Sequence, residues 1–507
     1  MQRINPYKVL KSGSDIRGTA AEGVAGEEIQ LTDKAVFDLT VGFCKWLDEN
    51  RYNKNSKIAV GHDSRISAER IKNTVIEALG EFGYEVYDCS YASTPAMFMT
   101  TVDLDCVASV QITASHHPFN KNGLKFFTEN GGLNSSDIER IIELAFLPYE
   151  RNNKKATVIP YDFMSVYAKR LRKLICDGVN AENYDKPLEN YKIIVDAGNG
   201  VGGFYATDVL APLGADITGS CFLEKDGMFP NHAPNPESKV AMASVCSATL
   251  AAKADLGVIF DTDVDRAGCV DENGKEINRN RLVALAALIA LEGNDGGTIV
   301  TDSVTSVGLT NFINNTLGGK HYRFKRGYRN VINEQLRLQS EGVNCPLAIE
   351  TSGHAAFREN YYLDDGAYLI TKIIIKMAQM GKEGKKLDSL IKELQDPAEE
   401  KELRFKIKCD DFRSYGNSVI SELEKFAEKQ NGWRTADDNR EGIRVYLDDE
   451  DKKGWFLLRL SVHDPIMPLN IESDVTGGVK KIAQELSRFL VSFDLLDISS
   501  LDNFINQ

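Results

Sequence analysis

Short apolar strands alternate with amphipathic helices along most of this chain, in three successive series, and each main strand ends in a compact polar motif. Thr32 to Asn50 opens the first series with helical spacing, since Ala35, Leu39, Phe43, Trp46 and Leu47 share a face. Lys57 to Val60 reads as a strand ending in Gly61-His62-Asp63-Ser64-Arg65, Arg70 to Phe82 as a helix and Glu85 to Asp88 as a strand. A buried strand at Val107 to Ile112 follows, and Ser136-Asp137-Ile138-Glu139 reads as a capping box opening another helix. The second series holds the strands at 193–195 and 256–260 around a helix at 240–252. The third holds helices at 281–293, near 307–317, at 330–341 and at 367–380, with strands at 298–300 and 347–349. Such alternation predicts parallel strands with helices on both faces. In open α/β sheets ligands collect outside the carboxyl ends of the strands, so the motifs of the three series can face one cleft. The last ~110 residues lose the rhythm and read as a small α+β unit. Polar stretches and a charged linker divide the chain at 1–160, 161–277, 278–395 and 396–507.

A chain of 507 residues is too long for one core, which fits that division. With 60 Lys and Arg against 74 Asp and Glu, the net charge of −14 supplies no field for nucleic acid or an anionic membrane. The longest apolar run, Leu282 to Leu291, is too short to span a bilayer, and the first residues carry no apolar signal segment. Nine scattered cysteines without a C-x-x-C read as reduced thiols, which points to the cytoplasm.

Two constellations carry chemistry. The stretch from Val107 to Phe127 runs from strand into a loop with Ser115, His116, His117, Asn120, Lys121, Asn122 and Gly123, then into Leu124-Lys125-Phe126-Phe127. A serine hydroxyl is a weak nucleophile unless a base, a metal or an attached phosphate activates it. Read alone, Ser115 and His116 also suit a simple hydrogen-bonded turn. The second constellation is Asp261-Thr262-Asp263-Val264-Asp265-Arg266 after the strand Leu256 to Phe260. Three carboxylates in five residues repel one another unless a cation sits among them, and hard oxygens favour Mg²⁺ or Ca²⁺. An EF-hand loop counted from Asp261 puts Glu272 at its twelfth position, but Arg266 stands where that loop needs glycine. Three protein oxygens leave a Mg²⁺ site open, and a phosphate on Ser115 would supply a further oxygen.

Thr113-Ala114-Ser115-His116-His117-Pro118, with Asn122-Gly123 and Lys125, resembles the active-site serine loop of the α-D-phosphohexomutases. Asp261-x-Asp263-x-Asp265-Arg266 resembles their metal loop and Glu350-x-Ser352-Gly353-His354 their sugar-binding loop. Lys325-x-Gly327 resembles a further sugar-contacting loop, with Tyr328 where some members have histidine. Ser14-Asp15-Ile16-Arg17-Gly18, which reads as part of a polar loop, Gly61-His62-Asp63-Ser64-Arg65, Asp196-Ala197-Gly198-Asn199-Gly200 and Phe229-Pro230-Asn231-His232 also fit. Arg459-x-Ser461 and Pro465 resemble the phosphate-binding loop, but Val462, His463 and Asp464 depart from its usual residues. The resemblance implies an α/β fold of three similar mixed-sheet domains plus a C-terminal α+β domain around one central cleft. It implies a reversible transfer of phosphate between O1 and O6 of a hexose phosphate, mannose or glucose, through a phosphoserine and a bisphosphorylated sugar. Phosphoglucosamine mutase, strict phosphoglucomutase and a silent sugar-phosphate-binding relative are the alternatives.

On this reading Ser115, His116, Lys125 and Arg17 are catalytic. Ser115, Asp261, Asp263 and Asp265 hold Mg²⁺. Arg266, Lys325, Gly327, Tyr328, Glu350, Ser352, His354, Arg459, Ser461 and His463 bind substrate. His463 in place of threonine would weaken phosphate affinity as its imidazole loses a proton near neutral pH. The partners expected are hexose phosphates, with no nucleic acid or membrane, and the protein a monomer or homodimer.

Overall fold

A computed structural model describes residues 5–52, 57–461 and 464–507. His463 therefore lies outside the described residues. Four sheets follow one another along the chain. In the first, Lys57–His62, Glu85–Tyr91, Ala108–Ile112 and Thr157–Pro160 run parallel, and Asp15–Thr19 and Lys121–Thr128 extend it antiparallel. Helix Asp33–Glu49 places Val36, Leu39, Phe43 and Leu47 on one face of this sheet, beside Ile71, Val75 and Ile141 from its neighbours. Helix Thr94–Asp103 covers the other face with Met97 and Phe98. The sheet is thus mixed, where strand–helix alternation alone predicts a parallel one.

The second sheet orders Glu276–Ile277, Ala267–Asp271, Leu256–Phe260 and Ile193–Asp196. The third orders Lys320–Arg323, Thr298–Thr301, Leu347–Ile349, Ala355–Phe357 and Leu363–Asp364. A single buried cluster joins Met97 of the first unit, Phe260 of the second and Leu347 of the third. The fourth sheet is antiparallel throughout and keeps its own core, in which Phe405, Val445 and Phe456 pack under helices Phe412–Ala427 and Gly478–Leu490. Its opposite face meets the third unit through Val304, Trp455 and Leu457. Among the described residues no helix is long and apolar enough to cross a membrane.

Three local expectations change. Asp15–Thr19, read as part of a polar loop, is a strand, paired through Arg17 to Gly123 and through Ile16 to Leu124. Its alternation is hidden because both faces are covered. The helix expected to open at Ser136 begins at Ser135, where Asn134 and Asp137 make the reciprocal cap and the Asn134 N–H donates to Asp137 at 2.8 Å. Asn-x-x-Asp satisfies the same orphan donors as the Ser136–Glu139 pair would. Helix Phe163–Val179, capped by Asp162 accepting from the Ser165 N–H, was not foreseen.

Candidate active site

Strand Ala108–Ile112 delivers Ser115 to the end of the first sheet, and its backbone sits at φ +50°, where non-glycine residues are uncommon. The hydroxyl is buried. Its Oγ donates to Asp261 Oδ2 at 3.0 Å, accepts from Arg266 Nη2 at 3.2 Å and lies 3.3 Å from His116 Nδ1. The next strand, Lys121–Thr128, returns past the serine loop. Gly123 is required on it, since a Cβ there would lie 2.2 Å from the Ile16 carbonyl oxygen and 2.7 Å from that of Thr113.

The loop between Leu256–Phe260 and Ala267–Asp271 carries the acidic triplet. One oxygen from each of Asp261, Asp263 and Asp265 lies within 4.8 Å of the others, and all three residues are buried. Oδ1 of Asp263 and Oδ1 of Asp265 have no hydrogen-bond partner. Buried carboxylate oxygens without partners are costly unless a cation meets them, so these residues fit a hard metal ion. Val264 between them stands at φ +67° while fully buried, a strain of about 1–3 kcal/mol for a β-branched residue. Thr94 secures the loop: its N–H donates to the Asp263 carbonyl at 2.8 Å and its hydroxyl to Asp263 Oδ2.

Cations surround the triplet. Lys125 Nζ lies 2.5 Å from Asp265 and 3.6 Å from Asp263, and Arg266 Nε donates to Asp261 at 3.1 Å. Burial raises the Asp261 carboxyl well above its ordinary range, with Asp265 and Asp263 adding to it. Burial also acts on Asp265, but Lys125, His354 and Arg266 outweigh it and hold that carboxyl low. For Lys125, burial is outweighed by Asp265, Asp263 and Asp15, so the ammonium is held charged. His116 is held far below the ordinary imidazole range, first by the charge of Arg266 and then by burial, which leaves it neutral.

The third sheet supplies the far wall. Arg266 and His354 form a one-residue antiparallel bridge that ties the triplet loop to the loop after Leu347–Ile349. Gly353, at φ +95°, allows this approach, because a Cβ there would lie 2.4 Å from the Ala267 carbonyl oxygen. His354 Nδ1 lies 2.9 Å from Ser352 Oγ and 3.3 Å from Glu350 Oε2, while its Nε2 is 3.7 Å from Asp265. Burial lowers the His354 pKa, but its bond to Glu350 and the Asp265 charge prevail and raise it. The Gly327 N–H donates to Glu350 Oε1 at 2.6 Å. Tyr328 stacks on His354 at 5.4 Å, and its hydroxyl lies 2.8 Å from Ser14 Oγ and 3.2 Å from Asp15. Asp15 in turn pairs with Arg17 at 2.8 Å.

The structure therefore gathers Ser115, His116, Lys125, the triplet, Arg266, Tyr328 and His354 directly, with Arg17 joined through Asp15 and Glu350 through His354. Lys325 is exposed and makes no hydrogen bond or ion pair with the other described residues. Its neighbour Arg326 points inward, 2.8 Å from Glu237, and Glu237 is 3.6 Å from Arg266. Sequence reading passed over Arg326, Glu237 and Thr94. It also passed over Asp364, buried with neither oxygen hydrogen-bonded and pushed up to about 7 by burial. Glu237 follows the Pro234-Asn235-Pro236 loop, whose rigidity was the available signal. Arg459 is buried at the end of Gly454–Leu458, its Nε unpartnered and its Nη1 3.8 Å from Glu441. Ser461 accepts from the Asp464 N–H at 3.4 Å.

A buried serine hydroxyl set on a carboxylate cage, with basic groups converging from three sheets, defines a phosphoryl-transfer enzyme. Three domain families match in succession: phosphoglucomutase/phosphomannomutase alpha/beta/alpha domain I over residues 9–152, domain II over 165–274 and domain III over 278–397. A phosphoglucomutase/phosphomannomutase of Thermococcus kodakarensis is 30% identical over 457 residues, covering 89% of this chain and 92% of the relative. A phosphomannomutase/phosphoglucomutase of Pseudomonas syringae pv. tomato is 28% identical over 469 residues, covering 92% of each. A crystal structure of a phosphoglucomutase/phosphomannomutase family protein from Burkholderia thailandensis superposes with a TM-score of 0.77 at 24% identity, covering 96% of this chain and 97% of that one. The chain belongs to the α-D-phosphohexomutase family and is a hexose-phosphate mutase by class.

Proposed function

We propose that the protein interconverts hexose 1-phosphates and hexose 6-phosphates of the mannose and glucose series, with Ser115 as the phosphoryl carrier. The observation that carries this reading is the placement of Ser115 Oγ 3.0 Å from Asp261 and 3.2 Å from the Arg266 guanidinium. A phosphate on that oxygen lies against the acidic loop on one side and cations on the other. Mg²⁺ held by Asp261, Asp263, Asp265 and the phosphoserine would draw charge from the transferring group. The chain's own residues do the rest. Neutral His116, whose Nδ1 lies 3.3 Å from Ser115 Oγ, orients the hydroxyl in transfer by hydrogen bonding, while Lys125 and Arg17 stabilise the phosphoryl oxygens. Glu350, Ser352 and His354 hydrogen-bond the sugar hydroxyls, Gly327 and Tyr328 fix that loop, and Arg459 with Ser461 grips the phosphate that is not being moved. Once phosphorylated, the sugar turns over and returns its other phosphate to Ser115. The free thiols, most of them buried, fit a cytoplasmic setting.

Intact-mass measurement tests the carrier. The purified protein is expected to carry one phosphate, lost in Ser115→Ala with turnover reduced by at least ~10³-fold. Coupled assays with mannose, glucose and glucosamine phosphates then rank the substrates. An unphosphorylated but fully active protein contradicts the proposal.

A further inference from the structure

We infer that Arg65 is the positioning residue of the serine loop, holding Ser115 in its left-handed conformation with the hydroxyl aimed at Asp261. This rests on the reading of Ser115 as phosphoryl carrier. All five N–H donors of the Arg65 guanidinium are consumed. Nη2 donates to the carbonyls of Ser115 and His117, each at 2.5 Å, and Nη1 to those of Pro118 at 2.6 Å and Lys121 at 2.9 Å. Nε donates to Asp63 Oδ2 at 3.2 Å. Asp63 completes a second route to the same residue: it accepts from Thr113 Oγ1 at 2.7 Å, and Thr113 Oγ1 accepts the Ser115 N–H at 2.8 Å. Ser115 is thus pinned at both its N–H and its carbonyl, on either side of the strained φ of +50°.

A fork is needed for this. A guanidinium spreads five donors over a rigid plane, whereas an ammonium presents three from one point. Four carbonyls of one loop converging on one plane fix the loop's curvature, not merely its location. The second unit seals the clamp: Phe229 lies over the Arg65 guanidinium at 5.3 Å, and Gly227 packs so closely that a Cβ would lie 2.4 Å from the Ser64 carbonyl oxygen. The side chain is fully buried and each of its donors is taken by a protein acceptor, which leaves none for a substrate. Its effect should therefore fall on the transfer step and not on sugar binding.

The test compares Arg65→Lys and Thr113→Val with the wild type in the full-length enzyme, by steady-state kinetics, intact mass and thermal melting. The expected result is a kcat about 10–100-fold lower in each, with KM within about twofold and reduced phosphate on Ser115. Thr113→Val keeps the inference testable if Arg65→Lys does not fold. Unchanged kcat in a folded variant overturns it, as does a raised KM at wild-type kcat. Ser115→Ala separates the two levels: if that variant still turns over, the carrier reading fails, and if it is inactive while the clamp variants run normally, only the clamp fails.

Discussion

At Lys125 the charge balance of the cage is decided by a single ammonium. It is buried between Asp265 and Asp263, and without it those carboxylates face one another in a site closed to water. Removing one partner of a buried pair costs about 3–5 kcal/mol. Lys125→Met is expected to lower stability by that order in chelator-treated protein, and Mg²⁺ should recover more of it than in the wild type, as read by denaturant unfolding. The Lys325–Arg326 pair makes a sharper contrast. Arg326 is tied to Glu237 and its N–H to Glu441, while Lys325 is exposed. Arg326→Ala should reduce kcat/KM by at least about tenfold, and Lys325→Ala should stay within about twofold. The sequence favoured Lys325 because its spacing from Gly327 matched a motif. Which of two adjacent basic residues turns inward depends on Glu237, which comes from another unit far along the chain.

The elements that carry the chemistry were legible where burial leaves a one-dimensional trace. Leu256–Phe260 and Leu347–Ile349 are fully apolar and run directly into the acidic triplet and the Glu350 loop. Asp15–Thr19 left no such trace: Asp15 and Arg17 pair with each other, which lets a buried strand carry charge. The cap at Asn134 was displaced for a related reason, since its Oδ1 also accepts from Arg329 Nε of the third unit at 3.0 Å. The loop after Asp226 shows how an element is fixed by a distant partner. His232 Nε2 lies 3.0 Å from both oxygens of Asp196, at the end of strand Ile193–Asp196. Burial lowers the His232 pKa, but the Asp196 bonds and charge prevail and raise it above the ordinary 6.5. A raised folded pKa gives stability that is full below the unfolded value and lost as pH rises through the folded one. The melting-temperature gap between wild type and His232→Gln should therefore be widest below the ordinary imidazole value of about 6.5 and shrink as pH rises through the raised folded value. A gap independent of pH would show that the histidine acts through packing alone.

Over the whole molecule, three units share one buried core, while the fourth meets the third through the small apolar cluster of Val304, Trp455 and Leu457 and through polar contacts such as Arg444 to the Ser303 carbonyl and Arg323 to Asp438. Glu441 is central to that junction: it accepts from Ser303 Oγ at 2.5 Å and from the Arg326 N–H at 3.1 Å, and lies 3.8 Å from Arg459. Such a junction can open without exposing a large core, as release and rebinding of a turned sugar bisphosphate requires. Glu441→Ala should loosen it, raising KM several-fold and increasing the radius of gyration in small-angle scattering of the substrate-free protein. This arrangement was not legible from the charged stretch at 396–402, which reads as a linker: from Glu399 on it is the first part of strand Glu399–Ile407, paired with Ile466–Ser473, and its charged residues lie mostly at exposed or half-buried positions, so no apolar run marks it. The central claim is that the transferable phosphate sits on Ser115 beside a cation held by the acidic triplet. Phosphorus NMR of the phosphorylated protein with added Mn²⁺ tests it most directly. A single phosphoserine line that paramagnetic broadening erases in the wild type, but not in Asp263→Asn, is the result expected. A line that persists in the wild type at saturating Mn²⁺, or one that remains in Ser115→Ala, contradicts the account.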